Sequence, residues 1–251
     1  MADHGVIHTV VTASEILEYI AEKGGAQPAE IAKDLGLARA NVHRHIATLY
    51  NLGFVEKRSD GRCVLTFRLF ELGNTVPHTR NLIDPARPAM LRLSQDTGQT
   101  VNHGILHEAS VLFIDKVDAN AYLMLERPIG TCQPLYCTSL GKVLLAFQPE
   151  AERERLISSL DLIRHTEHTI TDRDRLREAL NLIREEGFGC DFQEMTNELN
   201  CVAAPVFGSE GKIVSAISIS APVDHFDRAA IEAVVTSLTA IADEVSRHMT
   251  R

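Results

Sequence analysis

Six hydrogen-bonding side chains fall between residues 39 and 48: Arg39, Asn41, His43, Arg44, His45 and Thr48. Arg and Asn can pair bidentately with guanine and adenine edges, and Thr can meet either a base edge or a phosphate. Lys57, Arg58 and Arg62 follow at a distance that would let them touch phosphate or the minor groove. Much further along, Ser218 and Ser220 alternate with Ile217 and Ile219. On a strand that spacing turns both hydroxyls to one face and both isoleucines to the other. Two hydroxyls on a half-buried face need partners, which a ligand carboxylate, the backbone or water could supply.

Other constellations fail on their own chemistry. Ser139-Leu-Gly-Lys142 resembles part of a phosphate loop, but that loop needs Gly five residues before Gly141 and Ser or Thr after Lys142, where Tyr136 and Val143 stand. A nucleophile elbow needs Gly at position 137, which is Cys137. No enzyme is expected. His165, Glu167 and His168, or Asp191, Glu194 and Cys201, could offer mixed metal ligands, but their spacing matches no standard zinc signature. A metal- or redox-responsive regulator using Cys201 and the nearby carboxylates is therefore the alternative, and no metal or cofactor is expected.

Across the whole chain, 251 residues with 45% hydrophobic and 24% charged content allow one large domain or two ordinary ones, and exclude a disordered chain. No apolar run approaches the roughly 18 residues of a membrane span, and residues 1–10 lack a secretory pattern. Five scattered cysteines, none in a C-x-x-C pair, read as reduced thiols. A cytoplasmic location with no membrane partner is expected. The net charge of -9 is uneven: residues 1–75 hold 8 Lys/Arg against 9 Asp/Glu, residues 76–251 hold 17 against 25, and residues 39–68 carry a local +4. DNA responds to the face it meets, so an acidic remainder does not forbid a basic reader.

The elements that must carry the first group of residues are three helices and a hairpin. Thr12-Ala-Ser-Glu15 has capping-box spacing ahead of an apolar stripe at Ile16, Leu17 and Ile20, and Gly24-Gly25 stops that helix. A second helix begins near Pro28 and ends at Gly36; a third runs from about Arg39 to Gly53 with Val42, Ile46 and Leu49 inward. Residues 54–58 and 62–67 read as strands round an Asp-Gly turn. This is a winged helix-turn-helix over residues 1–69, with its third helix in the major groove of double-stranded operator DNA.

Residues 70–82 are expected as a linker, partly helical, and residues 83–251 as a second domain. Its signals alternate: a helix-like run at 88–95, strands at 100–106, 111–117 and 122–126, a helix from Ser139 to Phe147, another from Pro149, and a long one after Thr171-Asp-Arg-Asp174 stopped by Gly187. Strands at 188–192, 202–207 and 212–220 and a helix over 227–248 complete an α+β domain with an antiparallel sheet and flanking helices.

Over nearly its full length the chain resembles the IclR family of bacterial transcription regulators. The resemblance rests on Ala29-Glu-Ile-Ala-Lys-Asp-Leu-Gly-Leu37, Val42-His-Arg44 and Leu49-Tyr-Asn-Leu-Gly-Phe54, then on Thr138-Ser-Leu-Gly-Lys-Val-Leu-Leu-Ala146, Asp191 with Glu194, Cys201-Val-Ala-Ala-Pro-Val206 and Ala216-Ile-Ser-Ile-Ser220. It implies a GAF-like C-terminal domain binding a small molecule, often an organic acid, and a homodimer or homotetramer on DNA. It places the effector pocket at Ser139, Leu140, Asp191, Cys201, Ser218 and Ser220, with Glu194 in the same block. The residues support part of that: amides at a helix opened by Ser139 would favour an anion, and Asp191 could bind a ligand hydroxyl or orient a donor. Asp191 also fits a strand-end cap, Glu194 a solvated charge, and Cys201 core packing. Where the family pattern has a charged or imidazole side chain after Glu194 and then Gly, this chain has Met195, Thr196 and Asn197.

Overall fold

The computed structural model describes residues 5–73, 75–119 and 128–249, with backbone only at residues 77–80. The chain divides into two compact units, residues 1–77 and 78–251.

In the first unit α1 (His8–Glu22), α2 (Pro28–Asp34) and α3 (Arg39–Asn51) precede a hairpin of β1 (Val55–Lys57) and β2 (Cys63–Leu65) and a short α4 (Phe67–Gly73). Ile16, Ile20, Ile31, Val42, Leu49 and Val55 make the core. α1 starts four residues before the expected capping box: Ile7 is its N-cap and offers no side-chain bond, so Thr12 and Glu15 are interior residues whose spacing only imitates a cap. The true box is at α2, where Gln27 and Glu30 bracket Pro28 and Gln27 N donates to Glu30 Oε2 at 2.8 Å. The wing is tied down as well as hairpinned. Ala26 N donates to Cys63 O at 3.0 Å and Cys63 N to Ala26 O at 2.8 Å. Gly25, at φ 125°, makes this approach possible; a Cβ there would lie 2.8 Å from Val64 Cγ1.

α5 (Pro77–Thr97) leads into the second unit; it takes in residues 77–82 of the span expected as a linker and starts eleven residues ahead of the expected helical run. Pro85 and Pro88 lie inside it, yet Leu82, Ala86, Ala89, Met90 and Leu93 form one unbroken buried stripe through them. Next come β3 (Thr100–His107), β4 (Ser110–Val117), β5 (Cys132–Pro134), α6 (Ser139–Ala146), α7 (Glu150–Ser159), α8 (Arg173–Glu186), β6 (Gly189–Phe192), β7 (Leu199–Phe207), β8 (Ile213–Pro222) and α9 (Arg228–Met249). The strand expected at 122–126 lies outside the described residues. β5, with no alternating pattern to announce it, pairs with β4 at the sheet edge.

The six strands form one antiparallel sheet in the order β5-β4-β3-β8-β7-β6. Helices cover both faces. Met90 and Leu93 of α5 and Leu238 and Val245 of α9 pack on Val202, Ile217 and Ile219. On the other face Leu140, Val143 and Leu144 of α6, with Leu156 of α7 and Leu176 and Leu180 of α8, pack on Ala203 and Ala216. Strand periodicity thus sorts each strand between the two layers. The unit is α+β, as its alternation of signals implies.

Candidate functional site

On α3, Val42 and Leu49 are buried, whereas Arg39, Ala40, His43, Arg44, Ala47 and Thr48 are exposed. The outward face therefore carries two small alanines, seven residues apart, between the polar side chains. They let a flat surface approach closely, and sequence reasoning passed over them because alanine has no chemistry of its own. Arg44 donates to Asn41 Oδ1 at 3.3 Å, and Thr48 Oγ1 donates to Arg44 O at 2.9 Å. His45 is turned elsewhere: its ring nitrogens lie 2.9 Å from Asn41 O and 3.2 Å from Thr9 O, joining α3 to α1. On the wing, Lys57 and Arg58 are exposed, but Arg62 is half-buried and donates to Gly25 O. Of nine predicted DNA-contacting residues, Asn41, Arg44 and Thr48 bond within α3, whereas His45 and Arg62 reach outside their own element, to Thr9 and Gly25.

In the second unit the predicted strand residues Asp191, Cys201, Ser218 and Ser220 lie on one sheet face, that of α6, while Ser139 and Leu140 lie on α6 itself and Glu194 in the turn after β6. Ser218 and Ser220 alternate with the inward Ile217 and Ile219 of the opposite layer, as their spacing requires. Register places Thr100, Ser220, Cys201 and Asp191 side by side across β3, β8, β7 and β6. The neighbouring row is Lys116, Asn102, Ser218 and Ala203. Directly opposed side chains in such rows stand about 5 Å apart at Cβ. Asn102 Nδ2 donates to Ser220 Oγ at 3.1 Å, joining the rows diagonally. Asn102 had no signal in the sequence beyond its place on a strand.

α6 lies over β3, β4, β6, β7 and β8 on this face. Its N-cap is Thr138, not Ser139 as expected: Thr138 Oγ1 accepts from Gly141 N at 3.1 Å. Ser139 is the first helical residue, so the helix's own carbonyls cannot serve its amide or that of Leu140. The close seat depends on glycine, since a Cβ on Gly141 would fall 2.4 Å from Leu135 O. Gly104 of β3 likewise leaves room for Leu140, whose Cδ1 would lie 3.2 Å from a Cβ there.

Glu194 is buried at 6% exposure, so it is not the solvated charge that its type suggested. It takes an ion pair from Lys142, itself 4% exposed, and its amide donates to Asp191 Oδ1 at 2.7 Å. Burial raises the Glu194 pKa against the opposing pull of Lys142. Sequence reasoning missed Lys142; the signal was one charged residue inside the otherwise apolar run Leu140 to Phe147. Thr166 and Thr169 hold the turn from outside, donating to Gln193 O and Glu194 O at 2.6 Å each.

Two thiols of this unit, Cys137 and Cys190, are held protonated. Burial, then the Asp191 and Glu194 carboxylates, push Cys137 up to about 12, and burial pushes Cys190 up to about 11. Such thiols are poor nucleophiles and poor metal ligands. Among the described residues no group of three or more His, Cys, Asp and Glu side chains could hold a metal ion. His165 Nε2 lies 3.1 Å from Tyr136 OH, and His168 faces Glu167 at 3.8 Å. No helix among the described residues is long and apolar enough to cross a membrane.

Residues 9–59 match the IclR helix-turn-helix domain, and residues 74–247 match the domain described as bacterial transcriptional regulator IclR C-terminal. The HTH-type transcriptional regulator KdgR of Escherichia coli K12 is 32% identical over 244 residues, covering 97% of this chain and 93% of that protein. The crystal structure of the Thermotoga maritima IclR is 30% identical with a TM-score of 0.81, covering 97% of this chain and 99% of that one. An IclR homologue from Microbacterium hydrocarbonoxydans, complexed with 4-hydroxybenzoate, shares the fold at a TM-score of 0.87 and 23% identity, covering 96% of this chain and 98% of that one.

Proposed function

The chain belongs to the IclR family of DNA-binding transcription regulators with an effector-binding C-terminal domain and is not an enzyme; from that membership we propose that it is an acid-responsive regulator. In this reading the winged helix binds operator DNA. Arg39, Asn41, His43, Arg44 and Thr48 face the major groove, and Lys57 and Arg58 contact phosphate or the minor groove. The second unit binds a small organic acid between α6 and the sheet, at Ser139, Leu140, Asp191, Glu194, Cys201, Ser218 and Ser220.

One observation carries the acid reading. The sheet face under α6 bears the hydroxyls of Ser218 and Ser220, with Thr100 and Asn102 beside them, beneath a helix whose first amides have no helical carbonyl to meet. Hydroxyls, an amide and helix-start amides are donors suited to a carboxylate. The 4-hydroxybenzoate complex of the Microbacterium homologue supports the same ligand class.

The effector biases one arrangement of paired units, and the segment 70–82 passes that bias to two winged helices on half-sites about one DNA turn apart. Two-fold pairing as a homodimer or homotetramer belongs to this proposal. The test is a thermal-shift panel of small carboxylates, lactate and 4-hydroxybenzoate among them. A binder at 100 times its dissociation constant adds about 2.7 kcal/mol, and Ser218→Ala with Ser220→Ala removes the gain. A panel with no hit, or a hit that survives the double change, overturns the pocket.

A further inference from the structure

The buried pair Lys142–Glu194 is incompletely satisfied. Glu194 Oε1 receives the ammonium, while Glu194 Oε2 is buried with no hydrogen-bond partner among the described residues. Half-satisfied buried charge is a weak stabiliser and a strong demand for a further group. Ser139 and Lys142 are three residues apart on α6, so they share one side of that helix.

The charged and titratable groups round Glu194 come from four places. Lys142 faces it from α6, and Asp191 from β6 holds its amide. His168, from the segment between α7 and α8, pulls its pKa down, and the Cys137 thiol lies just before α6. Within that set Lys142 is a buried ammonium, and Glu194 and Asp191 are buried carboxylates. An entering carboxylate would make three.

We propose that Lys142 and Glu194 form an exchangeable ion pair: an acid effector takes the Lys142 ammonium from Glu194, and Glu194 accepts one proton from solvent as it lets go. No covalent bond of the effector changes. The proton adds to a Glu194 carboxylate oxygen, turns the side chain into a hydrogen-bond donor, and returns to solvent when the effector leaves. Burial has already moved Glu194 toward the protonated form, which makes it the group best suited to take the proton. The inference rests on the reading of this face as an acid receptor, and assigns Lys142 as the counter-ion of the effector.

The experiment is calorimetric titration of the full-length protein with the carboxylates of the panel, in buffers of different ionisation enthalpy, from about pH 8 to about pH 6. Uptake approaching one proton per site is expected, with the dissociation constant tightening by up to about tenfold for each pH unit lost. Glu194→Gln, nearly isosteric with the protonated acid, is expected to bind with a flat pH profile and no buffer dependence. Lys142→Met, checked by its melting curve for a native fold, is expected to weaken binding at least about tenfold. Binding without proton uptake, or an unchanged pH slope in Glu194→Gln, overturns the exchange while leaving the receptor intact. Failure of every carboxylate to bind wild type overturns both.

Discussion

His103 of β3 stands directly across from Asp115 of β4, and neither its two ring nitrogens nor Asp115 Oδ2 has a hydrogen-bond partner among the described residues. The pair faces the α5 and α9 layer, where Arg87 of α5 donates to Asp115 Oδ1. Burial lowers the His103 pKa to about 4 from 6.5. The unfolded chain therefore binds a proton that the fold refuses across that window. Stability is full above about pH 6.5 and declines by about 3 kcal/mol as pH falls toward 4. His103→Leu is expected to flatten this decline in urea unfolding at neutral and acid pH; an unchanged acid limb assigns the loss to other groups.

Arg44→Ala is expected to weaken operator binding by about 5- to 150-fold, corresponding to about 1–3 kcal/mol, while carboxylate binding and the melting temperature stay near wild type. Fluorescence anisotropy on a duplex containing the operator, beside a thermal-shift curve, separates the two. Loss of both activities in a folded variant would mean that the units do not divide the work as proposed.

Arg62 and Arg58 should part company. Arg62→Ala removes the donor to Gly25 O and is expected to destabilise residues 1–77 by about 1–3 kcal/mol. Arg58→Ala should leave stability nearly unchanged and reduce the salt dependence of DNA binding by about one counterion. Chemical denaturation and a salt titration decide; equal effects on stability would contradict the wing geometry.

Gly141→Ala places a methyl 2.4 Å from Leu135 O, with backbone rather than a flexible side chain in the way. A loss of at least about 1–3 kcal/mol is expected in urea unfolding, together with loss of the carboxylate response. A native-like variant would show that α6 can lift from its seat without harm.

Most helices and strands were legible because their stripes and stops obey simple periods: α8 begins at the Asp172 cap and ends at Gly187 with φ 80°, as the sequence around them indicates. The start of α1 was not, since Ile7 leaves no capping signal, whereas Thr12 and Glu15 mimic one. The length of α5 was obscured by two prolines that its buried stripe overrides. Among site residues, the alternation of Ser218 and Ser220 could be read directly. That Arg62 reaches back 37 positions, or that Lys142 meets Glu194 52 positions away, depends on tertiary contact that no local pattern encodes.

The two-residue repeat of the sheet has a practical consequence for redesign. On β8 the even positions 216, 218 and 220 look toward α6, and on β7 the odd positions 201, 203 and 205 do. Their neighbours anchor α5 and α9 instead. On the proposed acid receptor, a library confined to Cys201, Ser218 and Ser220 retunes ligand preference while leaving both the α5–α9 layer and the Ala203–Ala216 seat of α6 intact, so new sensing specificities need not be sought among destabilised proteins.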